Sequence, residues 1–95
     1  MGYTLEFHPD ALAEWRGLDK SVSLTLKKKL EKRLDHPVIS SARLSGALSE
    51  CFKIKNTASG HRIIYTVFEA DRVVFVLAVG RREDSEAYVK AQGRA

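Results

Sequence analysis

The sequence is short of nearly every residue that marks a secreted, metal-bound or membrane-spanning protein. It has one cysteine, Cys51, in 95 residues, so no internal disulfide can form and a reducing compartment is expected. His8, His36 and His61 stand far apart and share no spacing that would gather ligands, so neither a metal nor a cofactor is implied. No apolar run approaches the ~20 residues of a membrane-spanning helix, and the longest, 73–80, suits a buried strand. No secretory leader opens the chain, so a cytoplasmic protein without membrane attachment is expected. Repeats, low-complexity tracts and linkers are missing as well, which leaves one domain over 1–95.

Acidic residues are scarce in one half only. The net charge is +4, and an anionic partner, either nucleic acid or an acidic protein, fits it. Residues 1–50 nearly balance, with eight basic and seven acidic side chains. From Cys51 to Arg82, Lys53, Lys55, Arg62, Arg72, Arg81 and Arg82 face only Glu69 and Asp71. At 44% hydrophobic residues the chain can fill one core, but a domain this small has little room for a deep pocket. A functional site is therefore expected on an open face or shallow groove.

Hydrophobic spacing orders the elements. Tyr3–Phe7 alternates as a strand does. Pro9 suits a first helical turn, and Leu12, Trp15 and Leu18 form an apolar stripe that weakens at Gly17. Asp19 or Ser21 can cap a second helix, whose Val22, Leu26, Leu30 and Leu34 recur every four residues until His36-Pro37 ends it. Residues 38–50 read as an irregular connector pinned by Leu44 and Leu48. Three strands follow, Cys51–Lys55, Arg62–Phe68 and Val73–Gly80, with turns at 56–60 and at Ala70-Asp71. The last of these is apolar on both faces and so belongs at the sheet centre. Glu83, Asp84 and Glu86 suit the first turn of a terminal helix. The expected class is α+β, with a helix hairpin on one face of a mostly antiparallel four-stranded sheet (β-α-α-β-β-β plus a C-terminal helix).

Strand alternation then gathers the cations. Lys53 and Lys55 share a face, and a loop over 56–61 sets Lys55 opposite Arg62, on that same face. The next turn brings Gly80, Arg81 and Arg82 beside Gly60 and Arg62, and Tyr88 in the terminal helix can close the edge. Charges about 6 Å apart at an effective dielectric near 20 repel by roughly 2–3 kcal/mol, enough to depress a lysine by about two pKa units. Such a lysine can serve as a general base. The same cluster also reads as a solvated rim or as a passive nucleic-acid-binding patch, and spacing leaves these open. Lys27, Lys28, Lys29, Lys32 and Arg33 stud the second helix and read as a solvated face or as contacts for RNA phosphates. Trp15 and Tyr65 read as core, and Cys51 as a small buried residue. His61 should face away from Arg62 if the strand has begun there.

Several segments match a known pattern. They are Ala-Leu-Ala-Glu-Trp-Arg at 11–16, Leu-Lys-Lys-Lys-Leu at 26–30, Arg-Leu-Ser-Gly at 43–46 and Cys-Phe-Lys-Ile-Lys at 51–55, then Ser-Gly-His-Arg-Ile-Ile-Tyr at 59–65 and Val-Gly-Arg-Arg-Glu-Asp-Ser-Glu-Ala-Tyr at 79–88. In that order the chain resembles the RelE toxins of the RelE/ParE superfamily, ribosome-dependent messenger-RNA endonucleases with a microbial-RNase-like fold. The resemblance implies active groups at Lys53, Lys55, Arg62, Arg82 and Tyr88, with Arg81 at a basic, less critical position. It implies attack of a ribose 2′-hydroxyl on the adjacent phosphate without a metal. Lys55 would be the base, Lys53 and Arg62 would hold the phosphate, Arg82 would serve the leaving oxygen, and Tyr88 would stack on a base of the message. It also implies, as partners, the ribosome and mRNA and a RelB-like antitoxin, with operator DNA met only through the antitoxin complex. Two rivals remain at this level. One is the ParE branch, which shares the fold and inhibits DNA gyrase, and the other is a non-catalytic ribosome or RNA binder.

Overall fold

A computed structural model describes residues 2–81 and 86–94. The first strand, β1 (Thr4–Phe7), gives way to α1 (Pro9–Arg16) at His8, whose ring Nδ1 accepts the Asp10 N–H at 3.1 Å and caps the helix. Proline at the first helical position loses no intrahelical bond. After Gly17 the chain turns into α2 (Lys20–Arg33), with Asp19 at the N-cap position. The connector holds two short 3₁₀ turns, Ser40–Ala42 and Gly46–Leu48. Buried Leu48 and partly buried Leu44 pin it, and the Leu44 N–H donates to the Cys51 carbonyl at 3.0 Å. Strands β2 (Cys51–Asn56), β3 (His61–Phe68) and β4 (Val73–Arg81) and helix α3 (Glu86–Arg94) complete the chain. Asn56, His61 and Arg81 each extend a strand one residue beyond the expected boundary, and β1 begins one residue later than expected.

The sheet order is β1-β4-β3-β2, with β1 parallel to β4 and the other pairs antiparallel. The expected α+β architecture is the one found, and β4 does lie inside the sheet. Ala11, Leu26, Leu30 and Leu34 of the hairpin pack on Phe52, Ile54, Ile63, Tyr65, Val74 and Val76. The opposite face carries Ile64, Leu77 and Ala78, against which Ala87 and Ala91 of α3 are buried. A bulge where Ile64 pairs Ala78 but Tyr65 pairs Val76 lets Leu77 and Ala78 both face α3, while Val76 and Val79 both face the hairpin.

The outer edge of β2 is covered by α2. Lys29 Nζ donates to the Lys55 carbonyl at 2.6 Å, and an Arg33 guanidinium nitrogen donates to the Lys53 carbonyl at 3.1 Å. Two backbone acceptors that would otherwise invite a further strand are thereby occupied.

Candidate active site

The candidate groups are delivered by strand pairing. Lys55 pairs Arg62 and Lys53 pairs Ile64, so both lysines, Arg62 and Ile64 project to one side of the sheet. Ile64 belongs to the cluster under α3, which identifies that side as the α3 face. Arg62 pairs Gly80 across β3–β4. Gly60 closes the β2–β3 turn at φ 76°, a conformation that favours glycine, and its N–H donates to the Asn56 carbonyl at 2.8 Å. That turn sets the register on which the Lys55–Arg62 pairing depends.

Lys55 is exposed, while Lys53 and Arg62 are half-buried. Lys55 and Arg62 meet at a small cavity of about 90 Å³, also lined by Asn56, Thr57 and Gly60. Arg62 Nε is buried and has no hydrogen-bond partner among the described residues. A buried donor left unmade is costly, so this guanidinium has hydrogen-bonding capacity that the described residues do not use. A larger groove of about 550 Å³ runs along the β2 edge and is lined with cations from two elements, Lys29, Lys32 and Arg33 of α2 and Lys53 and Lys55 of β2. Tyr88 is partly buried against the cluster that contains Ile64 and Ala78, which places it on the same face as the three cations.

The remaining candidates fall out differently. Arg82 lies outside the described residues, as do Glu83 and Asp84 of the expected acidic turn. Arg81 is exposed and pairs His61, so alternation directs it to the hairpin face, away from Arg62. His61 also faces that side, as expected, with its ring 2.9 Å from Ser59 Oγ. Lys27, Lys28 and Lys32 are exposed on α2, whereas Lys29 and Arg33 hold the β2 carbonyls. Burial, with the Glu50 charge beside it, raises the Cys51 thiol's pKa, which disfavours the nucleophilic thiolate. Among the described residues, no three His, Cys, Asp or Glu side chains gather into a metal-binding group.

Two polar connections join residues that no sequence pattern links. Tyr65 is core, as expected, yet its hydroxyl donates to the Pro37 carbonyl at 2.6 Å and accepts from Arg33 at 2.9 Å. Burial pushes its pKa up, and the Arg33 guanidinium partly opposes that. Pro37, Tyr65, Arg33 and the Lys53 carbonyl thus form one chain that fixes β2 at a candidate residue. The only sequence hint was the tyrosine itself, since a buried hydroxyl needs a partner. The second connection joins Glu14 to Arg94, eighty positions later, and no local pattern announces it.

Comparison with known proteins adds three findings. The family model described as the ParE toxin of the type II toxin–antitoxin system parDE matches residues 5–86. The chain is 46% identical to the mRNA interferase toxin RelE of Escherichia coli K12 over 94 residues, covering 99% of this chain and 98% of that one. Among solved structures it is similar to a doubly arginine-substituted E. coli toxin RelE in the free state (TM-score 0.89, 45% identity, 99% and 98% covered) and to the toxin in the intact E. coli RelBE toxin–antitoxin complex (TM-score 0.80, 44% identity, 83% and 95% covered).

Proposed function

Because the chain belongs to the RelE/ParE family of toxins, we propose that it is the toxin of a type II toxin–antitoxin pair and cuts messenger RNA at the ribosomal A site, in the cytoplasm. The observation that carries this reading is the open cationic face. Lys53, Lys55 and Arg62 lie on one side of the sheet, and Arg62 keeps a buried donor unpaired among the described residues. A phosphodiester is the anion that such a face suits, and its developing negative charge in the transition state is what such a cluster stabilises.

The reaction needs a base, an anion clamp and a proton for the leaving group. Lys55 takes the proton of a ribose 2′-hydroxyl, whose oxygen then attacks the adjacent phosphorus. Arg62 and Lys53 hold the non-bridging oxygens. The 5′-oxygen of the following nucleotide departs with a proton, served by Arg82, and a 2′,3′-cyclic phosphate remains. Tyr88 stacks on a base of the message. Arg81, Lys27, Lys28 and Lys32 contribute positive charge toward ribosomal RNA, and Lys29 and Arg33 add theirs at the β2-edge groove. Among the described residues no histidine joins the three cations, since His61 faces the other side of the sheet. The ribosome orients the codon. The toxin–antitoxin complex of the E. coli relative supports a RelB-like antitoxin as this chain's partner, with operator DNA reached through that complex.

The match to the ParE toxin model favours, as a second reading, the gyrase inhibition expected of the ParE branch. Translation of a defined message in a cell-free system, with 5′ ends mapped by primer extension, separates the two. Codon-level cuts that disappear in Lys55→Ala and Arg82→Ala support the nuclease. An intact message alongside blocked DNA supercoiling supports the gyrase reading. Tight ribosome binding with an intact message supports a passive binder.

A further inference from the structure

β1 ends at Phe7, opposite Val76, while β4 continues to Arg81. Beyond that point the flank of β4 that β1 served has no strand beside it among the described residues, and side chains replace the missing ladder. The Val79 N–H donates to Glu14 Oε1 of α1 at 3.0 Å, and the Leu77 carbonyl accepts from an Arg94 guanidinium nitrogen at 2.9 Å. Glu14 and Arg94 also bind each other in a two-pronged pair, at 2.9 and 2.8 Å. Lys90 Nζ adds a contact to Glu14 Oε2 at 3.1 Å, and Asp10 lies 3.9 Å from Arg94 Nε. Only 17% of the Glu14 side chain and 14% of the Arg94 side chain are exposed, so this is a sheltered junction. It joins a helix on each side of the sheet to the strand between them, at the bulge.

The apolar seating of α3 is slight. Among its described side chains the fully buried ones are two alanines, Ala87 and Ala91, and Val89 points outward at 64% exposure. Small side chains allow close approach but give little resistance to rotation or sliding, so directional bonds must set the helix's pose. Arg94 lies seven residues after Ala87, on the same stripe, and Tyr88 lies under two turns before Arg94. We infer that Glu14 and Arg94 are positioning residues that hold α3, and with it Tyr88, in register on the cationic face. This rests on the reading of Tyr88 as a group that contacts the message. Neither Glu14 nor Arg94 touches RNA in this account; they act through the tyrosine.

The test is a double-mutant cycle on single-turnover cleavage of a programmed ribosome, with Glu14→Gln and Arg94→Lys each combined with Tyr88→Ala. Arg94→Lys keeps the charge and loses the fork, so it reports on positioning if Glu14→Gln folds poorly. Each latch variant is expected to slow the saturated cleavage rate by about tenfold to a hundredfold, as misplacement of a catalytic group does, with ribosome affinity unchanged. In the Tyr88→Ala background the latch variants should cause no further loss. In Arg94→Lys, hydrogen exchange at 86–94 should rise about tenfold or more and exceed any rise in β3 and β4, which follows global stability. An equal loss in both backgrounds, or unchanged exchange in α3, overturns the positioning role. Full activity of Tyr88→Ala instead sinks the reading of Tyr88 itself, and the positioning claim with it.

Discussion

Glu14 is the residue whose environment is most clearly written in its protonation. Burial pushes the carboxyl up, but Arg94, the Val79 N–H and Lys90 outweigh it and hold the pKa at about 2 against a usual 4.5. A lowered carboxyl pKa contributes stability that is complete above the unfolded value and is lost as pH falls through the folded one. Glu14→Gln should therefore lower stability at neutral pH by up to about 3 kcal/mol. The gap to the parent protein should close between about pH 4.5 and 2, which urea melts across that range can follow. Lys55 makes the opposite kind of case, because its proposed work needs a neutral amine. Lys55→Arg keeps the charge and cannot deprotonate near neutral pH, so its saturated cleavage rate should fall by about a hundredfold or more. Retention of most activity would reduce Lys55 to an electrostatic role.

At the scale of elements, β2 depends on α2 for more than packing. Arg33 serves the Lys53 carbonyl and the Tyr65 hydroxyl together, so Arg33→Met removes two charge-assisted bonds from a part-buried site. The expected cost is about 2–3 kcal/mol, readable as a lower midpoint in thermal unfolding. The same variant re-exposes the β2 edge and should raise self-association in sedimentation. The helices and strands themselves were legible, because the four-residue recurrence from Val22 to Leu34 and the alternation in 51–55 each fit one secondary structure. The bulge was not. In 73–80 both faces are apolar, so a slip of one residue changes no visible pattern. It is this slip that sends Leu77 and Ala78 together toward α3.

For the whole molecule, the clustering of Lys53, Lys55 and Arg62 was within reach of counting. A loop of known length between two alternating strands fixes which side chains share a face, and the structure pairs Lys55 with Arg62 as that count requires. Arg81 shows the same rule working against a charge tally, since one step along β4 turns a cation to the other side. The Glu14–Arg94 junction and the Tyr65–Arg33 relay stayed hidden because each joins residues far apart in sequence through side-chain geometry. The cationic α3 face is proposed to be a cleavage site which the ribosome completes. Single-turnover cleavage of one message, naked and seated in the ribosomal A site, by the parent protein and by Arg62→Ala tests it most directly. The parent should cut only on the ribosome, and Arg62→Ala should cut at least about a hundredfold more slowly with ribosome binding intact. Equal rates on naked and ribosome-bound message, or an unimpaired Arg62→Ala, would contradict it.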